Sequence, residues 1–232
     1  TPYLNSLMYR ELLAMVYIAD QLNQKEIGKI YSKRAEELKR HMHRESWDPL
    51  LGYYFSVDVN LLPVEGSHTI LHPGMPRNYN GLLLRYFTWT GFCSMWAEIA
   101  TEEQARVMVE RHFKDTSNLN SEYGIRTLSK QEKMYYVGAT GNPCSWLGPI
   151  WIISNYMTFR GLIKYGYIEE AREVASETII LLGRDIEKSG AMHEYYLPSN
   201  GEPVKLKGFI SWNCLVLNMI AWMEGREVLW EF

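Results

Sequence analysis

The side chains best equipped for chemistry stand in one short run, SGAMHEYYLPSNGEPVKLKGFISWN, residues 189–213. Glu194 lies between His193 and the pair Tyr195-Tyr196. A Ser-Asn-Gly turn follows, and then a second aromatic cluster around Trp212. A carboxylate that stays ionised near neutral pH and reaches a water molecule is a general base. Tyrosine hydroxyls beside it stabilise the anion by donating hydrogen bonds. The plainer reading is a solvated or capping carboxylate at the end of a helix. Its aromatic company and the turn behind it make Glu194 the candidate catalytic residue.

A second set of residues suits a sugar. The chain holds 8 Trp and 16 Tyr, and the apolar face of a pyranose stacks on an aromatic ring. Most of these rings are expected to be core. Trp146 and Trp151 are set apart by their spacing, W-x-G-P-x-W: Gly148 removes side-chain bulk between them, and Pro149 fixes the start of a helix. Both rings are expected to face one opening. Trp212 and Asn213 stand at the head of another apolar helix, with Asn213 either a sugar ligand or a cap. Tyr195 adjoins the base. Tyr123 and Gly124, in YGIRTLS, form a candidate pocket rim. The candidate substrate-binding residues are therefore Trp146, Gly148, Trp151, Tyr123, Tyr195 and Trp212. Glu122 is a weaker candidate, as a substitute acid. Asp48, before Pro49, suits a turn, and Asp58 flanks the strand that follows.

No metal and no cofactor are expected. His68 and His72 have i, i+4 spacing, which binds metal only on a helix, and Pro73 argues against a helix there. The three cysteines, Cys93, Cys144 and Cys214, lack CxxC spacing and sit among apolar residues. They read as buried thiols in a reducing, cytoplasmic setting. Net charge is −3 with no basic block, so nucleic acid is not an expected partner. No apolar run reaches the roughly 18 residues of a membrane span, so no membrane association is expected either. No signal-peptide pattern is visible. Thr1-Pro2 leads straight into a helix, and the chain is expected to be a piece of a longer polypeptide.

The elements that must position these residues follow from periodicity. Residues 4–22 and 24–45 carry helical stripes. WDPLLGYYFSVDV, 47–59, predicts a turn and a short strand, and 60–80 a loop. Residues 81–98 are apolar on nearly every side. Thr101 to Gln104 form a capping box that opens an amphipathic helix to Phe113. Residues 114–148 read as irregular. Residues 149–165 are apolar almost all round, 168–188 amphipathic, 189–207 loop, and 209–223 apolar all round again. A helix apolar all round must be covered all round. Helices that alternate between the two kinds fit two concentric rings, an all-α (α/α) barrel, better than a plain bundle. With 47 % apolar residues a large core is available. About seven helices make only part of a six-hairpin ring, with short β-hairpins in its loops.

The segments YRELLAMVYIADQL, WDPLLGYYFSVD, YGIRTLS, NPCSWLGPIWIISNYMTFRGLIKYGY, MHEYYLPSNGEP and GFISWN occur in this order. Together they resemble the C-terminal half of the (α/α)6 glycoside hydrolases. The similar group comprises mannosyl-oligosaccharide glucosidases, mannosylglycerate and glucosylglycerate hydrolases and, further off, trehalases. The resemblance covers nearly all of residues 1–232, so the chain is expected to be the C-terminal part of one catalytic domain. It implies an inverting hydrolysis of an α-glucoside or α-mannoside. One carboxyl protonates the leaving oxygen; a second, roughly 6.5–9.5 Å away, activates water on the opposite face of the sugar. The family's base motif matches HEYY and carries over to Glu194. Its acid, an Asp in an ESGxDNSPR-like segment, has no match here. The resemblance thus implies a missing N-terminal half of the barrel as a partner, with another chain as one possible source. The rival readings are a sugar epimerase or isomerase on the same barrel, which needs a second pocket histidine, and a non-catalytic carbohydrate-binding module.

Overall fold

The computed structural model describes residues 1–59, 81–138, 145–226 and 228. His68, His72 and Cys144 lie outside them. Thr1 caps the first helix, α1 (Pro2–Gln21), by accepting the Leu4 N–H on its hydroxyl, with Pro2 at the opening position where its missing N–H costs nothing. It turns back into α2 (Lys25–Glu45). The later helices are α3 (Cys93–Trp96), α4 (Glu102–Met108), α5 (Ile152–Lys164), α6 (Ile168–Ser189) and α7 (Val216–Met223).

The helices pack as a curved double row. α1 lies on α2 and α3, α3 on α5, α5 on α6, and α7 on both α5 and α6. Contact between Ser94 Oγ and Met108 Sδ seats α4 against α3. α1, α3, α5 and α7 thus form the inner row, and α2, α4 and α6 the outer. The row assignment follows composition. α5 buries Ser154, Asn155, Tyr156, Met157, Thr158 and Phe159 in succession, so every side of it is covered. α6 buries one stripe, Ala171, Val174, Ala175, Thr178, Leu181, Leu182 and Asp185, and leaves the rest wet. One core runs from Tyr9 and Ala35 through Phe92 and Met95 to Phe159 and Val174. The alternation seen in the sequence is this inner and outer arrangement.

Among the described residues three antiparallel two-stranded pairs decorate the connections: β1 (Trp47–Asp48) with β2 (Tyr53–Tyr54), β3 (Ser56–Asp58) with β4 (Leu82–Leu84), and β5 (Tyr195–Tyr196) with β6 (Pro203–Val204). Asp48 shapes the first turn: its Oδ1 accepts the N–H groups of Leu50 and Leu51 at 2.9 and 3.1 Å.

Four boundaries differ from the sequence reading; one is the run 209–223, which opens as a 3₁₀ turn over Ser211–Leu215 before α7 begins. The apolar run 81–98 is not one helix: Leu82–Leu84 pair with β3, Trp89–Phe92 form a 3₁₀ turn, and only Cys93–Trp96 are α-helical. A continuous apolar run carries no period to tell strand from helix. The capping box at Thr101 and Gln104 forms as expected, but its helix widens to a π-turn over Val109–Phe113. Pro149 does not open α5. The helix starts three residues later, because the Ile150 N–H and C=O are both engaged by Tyr196.

Candidate active site

At the N-terminal end of α5 four sequence-distant segments are laced together. Ile150 bridges antiparallel to Arg126 on one side and Tyr196 on the other, and Thr88 bridges to Leu128. Ile150 and Tyr196 exchange both backbone hydrogen bonds at 2.9 Å. The Thr127 hydroxyl donates to Pro149 O at 2.9 Å and accepts the Gly148 N–H at 3.1 Å. Asn155, in the first turn of α5, accepts the Ile125 N–H at 2.7 Å and donates to Thr178 Oγ1 on α6 at 2.8 Å. This close seating needs Gly124: its φ is +124°, and a Cβ there would stand 2.3 Å from Asn155 Nδ2. The YGIRTLS, WLGPIW and HEYY segments therefore converge through backbone pairing.

The converging segments carry a column of rings. Trp146 stacks on Trp151 at 4.2 Å with planes 10° apart, and Trp151 stacks on Tyr195 at 5.1 Å. Trp89 continues the column beyond Trp146 at 6.2 Å. Trp212 leans against it, 5.5 Å from Trp151 and 6.3 Å from Trp146. Offset stacks of this kind add about 0.5–1.5 kcal/mol each beyond the area they bury. Trp151 is sealed, 1 % exposed, and its indole N–H donates to Ser145 O at 2.8 Å. Trp146, 38 % exposed, is the ring of this stack with surface to offer a ligand.

Glu194 adjoins the column through Tyr195 and is only 6 % exposed. Its chain neighbours are fixed on both sides. His193 Nδ1 lies 2.8 Å from Asp185 Oδ2, the His193 N–H donates to Tyr196 Oη at 3.0 Å, and the His193 carbonyl accepts from Asn213 Nδ2 at 2.8 Å. Tyr196 donates its hydroxyl to the same Asp185 oxygen at 2.8 Å. A carboxylate only accepts, so His193 carries its proton on Nδ1 toward Asp185.

The structure thus brings Glu194, Trp146, Trp151, Tyr195 and Trp212 into one neighbourhood. Gly148 lies beside it, but the space its missing side chain leaves is taken by Tyr135, 2.4 Å from where a Cβ would be, and not by the tryptophans. Tyr123 makes its contacts elsewhere: its ring packs under Gly201 and Leu181 and lines a cavity of about 230 Å³ with Arg184 and Lys188. Asn213 is fully buried as a brace for the 193 carbonyl. Glu122 is exposed, Asp58 lies in β3, and Asp48 pairs with Arg85 at 2.6 Å. Among the described residues no group of three or more His, Cys, Asp or Glu is placed to hold a metal ion, and no helix is long and apolar enough to cross a membrane. Cys93 is a buried free thiol whose pKa is pushed up by burial, while Cys214 is exposed.

Sequence reasoning missed Trp89 and Asp185. Trp89 lies inside the apolar run 81–98, where no period singles out one ring. Asp185 did leave a signal: it continues the buried stripe of α6 at the spacing set by Thr178, Leu181 and Leu182, and a carboxylate in such a stripe must have partners.

A family profile described as a mannosylglycerate hydrolase MGH1-like glycoside hydrolase domain matches residues 1–212. Mannosylglycerate hydrolase MGH1 of Selaginella moellendorffii is 29 % identical over 146 residues, 62 % of this chain and 26 % of its own length. A probable mannosyl-oligosaccharide glucosidase of Schizosaccharomyces pombe is 31 % identical over 119 residues, 47 % of this chain and 14 % of its own. The crystal structure of a GH63 mannosylglycerate hydrolase from Thermus thermophilus superposes with TM-score 0.72 at 20 % identity, over 96 % of this chain and 45 % of that one. This chain therefore spans less than half the length of each.

Proposed function

The chain belongs to the mannosylglycerate hydrolase MGH1-like glycoside hydrolase domains, and from that premise we propose that it forms part of an inverting α-glycosidase, acting on an α-mannoside or α-glucoside with Glu194 as general base. The observation that carries this reading is the placement of Glu194: buried, braced on both sides along the chain, and next to a ring column that includes an exposed tryptophan. In the reaction, Glu194 takes a proton from water as the water oxygen bonds to the anomeric carbon. The glycosidic C–O bond breaks on the opposite face, and the leaving oxygen receives a proton from an acid. Trp146 offers its exposed surface to the sugar, with Trp151, Tyr195 and Trp212 holding it in place.

The acid is assigned to helices that complete the ring. Two features support such a complement. A hollow of about 780 Å³ runs along the inner row, lined by Leu13, Tyr17, Trp96, Ile153, Met157 and Leu215. At both ends of the row large apolar side chains are exposed: Leu4, Met8 and Ile18 on α1 with Leu22 just after it, and Ile210 and Leu217 at α7. These surfaces suit burial under further helices. The 232-residue chain alone, lacking the acid, is expected to bind sugar without turning it over.

The isomerase reading needs a second pocket histidine, and among the described residues His43 and His112 are engaged elsewhere, with Tyr54 and with the Leu51 carbonyl. In the full-length enzyme Glu194→Gln should abolish hydrolysis of mannosylglycerate and of 4-nitrophenyl α-mannoside and α-glucoside while leaving sugar binding intact. Turnover by that variant at the parent rate rejects the assignment.

A further inference from the structure

We propose that Asp185 is the positioning residue for Glu194: one buried carboxylate on α6 sets the geometry of the loop that carries the base. The proposal rests on the reading of Glu194 given above. Asp185 is 3 % exposed, and a charge so placed is tolerated only when it is fully hydrogen-bonded. All three of its described side-chain partners come from the end of its own helix and the loop after it. Ser189 Oγ donates to Oδ1 at 3.0 Å. His193 Nδ1 donates to Oδ2 at 2.8 Å and lies 3.1 Å from Oδ1. Tyr196 Oη donates to Oδ2 at 2.8 Å. His193 and Tyr196 straddle Glu194, one position before it and two after.

The clamp is closed on itself. The hydroxyl that Tyr196 gives to Asp185 also accepts the His193 N–H at 3.0 Å, so the backbone across Glu194 is pinched between two groups that share one anchor. The outer side is held separately, by Asn213 on the His193 carbonyl and by the Ile150–Tyr196 pair. The position of Glu194 along its loop is therefore dictated from α6, a rigid 22-residue helix, and the loop itself has little freedom. A base must meet its water within hydrogen-bonding reach, and a misplacement of about 1 Å is enough to cost about 100-fold in rate. The ring proposed to meet the sugar, Trp146, is carried on a separate segment just before α5. Loss of the anchor should therefore fall on turnover and spare affinity.

The test uses the full-length protein with the three substrates named above, kcat from initial rates and sugar affinity from tryptophan fluorescence. Asp185→Ala should lower kcat by about 10- to 100-fold with affinity within about twofold. Tyr196→Phe, which deletes one hydroxyl and keeps the ring, should lower kcat by about tenfold in the same manner, and it decides the matter if Asp185→Ala does not fold. Asp185→Asn keeps an oxygen for His193 and Tyr196, and should retain kcat within about fivefold. If kcat in Asp185→Ala or Tyr196→Phe stays within about twofold of the parent while Glu194→Gln is inactive, the positioning role is wrong and the base assignment stands. An equal loss of kcat and affinity, the mark of a merely structural part, overturns it as well. If the parent hydrolyses none of the substrates, or Glu194→Gln retains turnover, the base reading fails and takes this one with it.

Discussion

Glu177 on α6 gives the sharpest physical test of the packing. Its Oε2 is buried with no hydrogen-bond partner among the described residues, and its pKa is raised from 4.5 to about 8, first by burial and then by the neighbouring charges of Glu173 and Glu122. The folded protein therefore keeps a proton here that the unfolded chain releases above pH 4.5. The folded state binds more protons, so stability falls as pH rises from 4.5 to about 8 and is then level. At about 1.4 kcal/mol per pH unit, a fully enclosed carboxyl would lose about 5 kcal/mol across that window. Glu177 is partly open to solvent, and screening reduces this to about 1–2 kcal/mol. Glu177→Gln is a permanent copy of the protonated form. Its melting curve should coincide with the parent's below about pH 4.5 and lie about 2–8 °C higher at about pH 9, at about 2–4 °C per kcal/mol for a chain of this size. Scanning calorimetry across about pH 4–9 measures the gap. A gap independent of pH, or a variant less stable at alkaline pH, would refute the linkage between burial, Glu122 and this carboxyl.

Two further sets of substitutions probe the seating of the site. Gly124→Ala forces a Cβ to within 2.3 Å of Asn155 Nδ2 at a φ of +124°, combining backbone strain with two disturbed buried hydrogen bonds. Urea denaturation should show a loss of about 2–4 kcal/mol, and a loss below about 1 kcal/mol would mean that Asn155 moves aside freely. Trp146 and Trp151 should separate by role. Trp151→Ala empties a sealed site and orphans Ser145 O, costing about 3–5 kcal/mol of stability. Trp146→Ala should cost less than about 1.5 kcal/mol yet weaken sugar binding, as read by titration. Equal stability losses would contradict the burial difference.

Much of the scaffold was legible because helical periodicity is a local property. The stripes of α2 and α6 and the all-round apolar character of α5 announced outer and inner helices before any contact was known. Thr101 and Gln104 announced a capping box that forms with both of its hydrogen bonds. Legibility failed where a residue's conformation depends on a distant strand. Pro149 looked like a helix start, but Ile150 is claimed by Tyr196, far along the chain, and the helix waits until Ile152. Leu82–Leu84 looked helical and became a strand because Ser56–Asp58 offered it a ladder.

The sequence by itself determined that paired helices of two kinds must form a double row, and that Glu194 stands among aromatic residues. Residue type and spacing suffice for that, since both act within a turn or two of chain. Only the tertiary structure decided that Trp151 is sealed while Trp146 is open, that Tyr123 belongs under the Gly201 turn, and that Asp185 ties the loop around Glu194. Those facts depend on which surfaces of separate segments meet. Burial and hydrogen-bond partnership are properties of the packed whole, set by competition among all the groups that need covering.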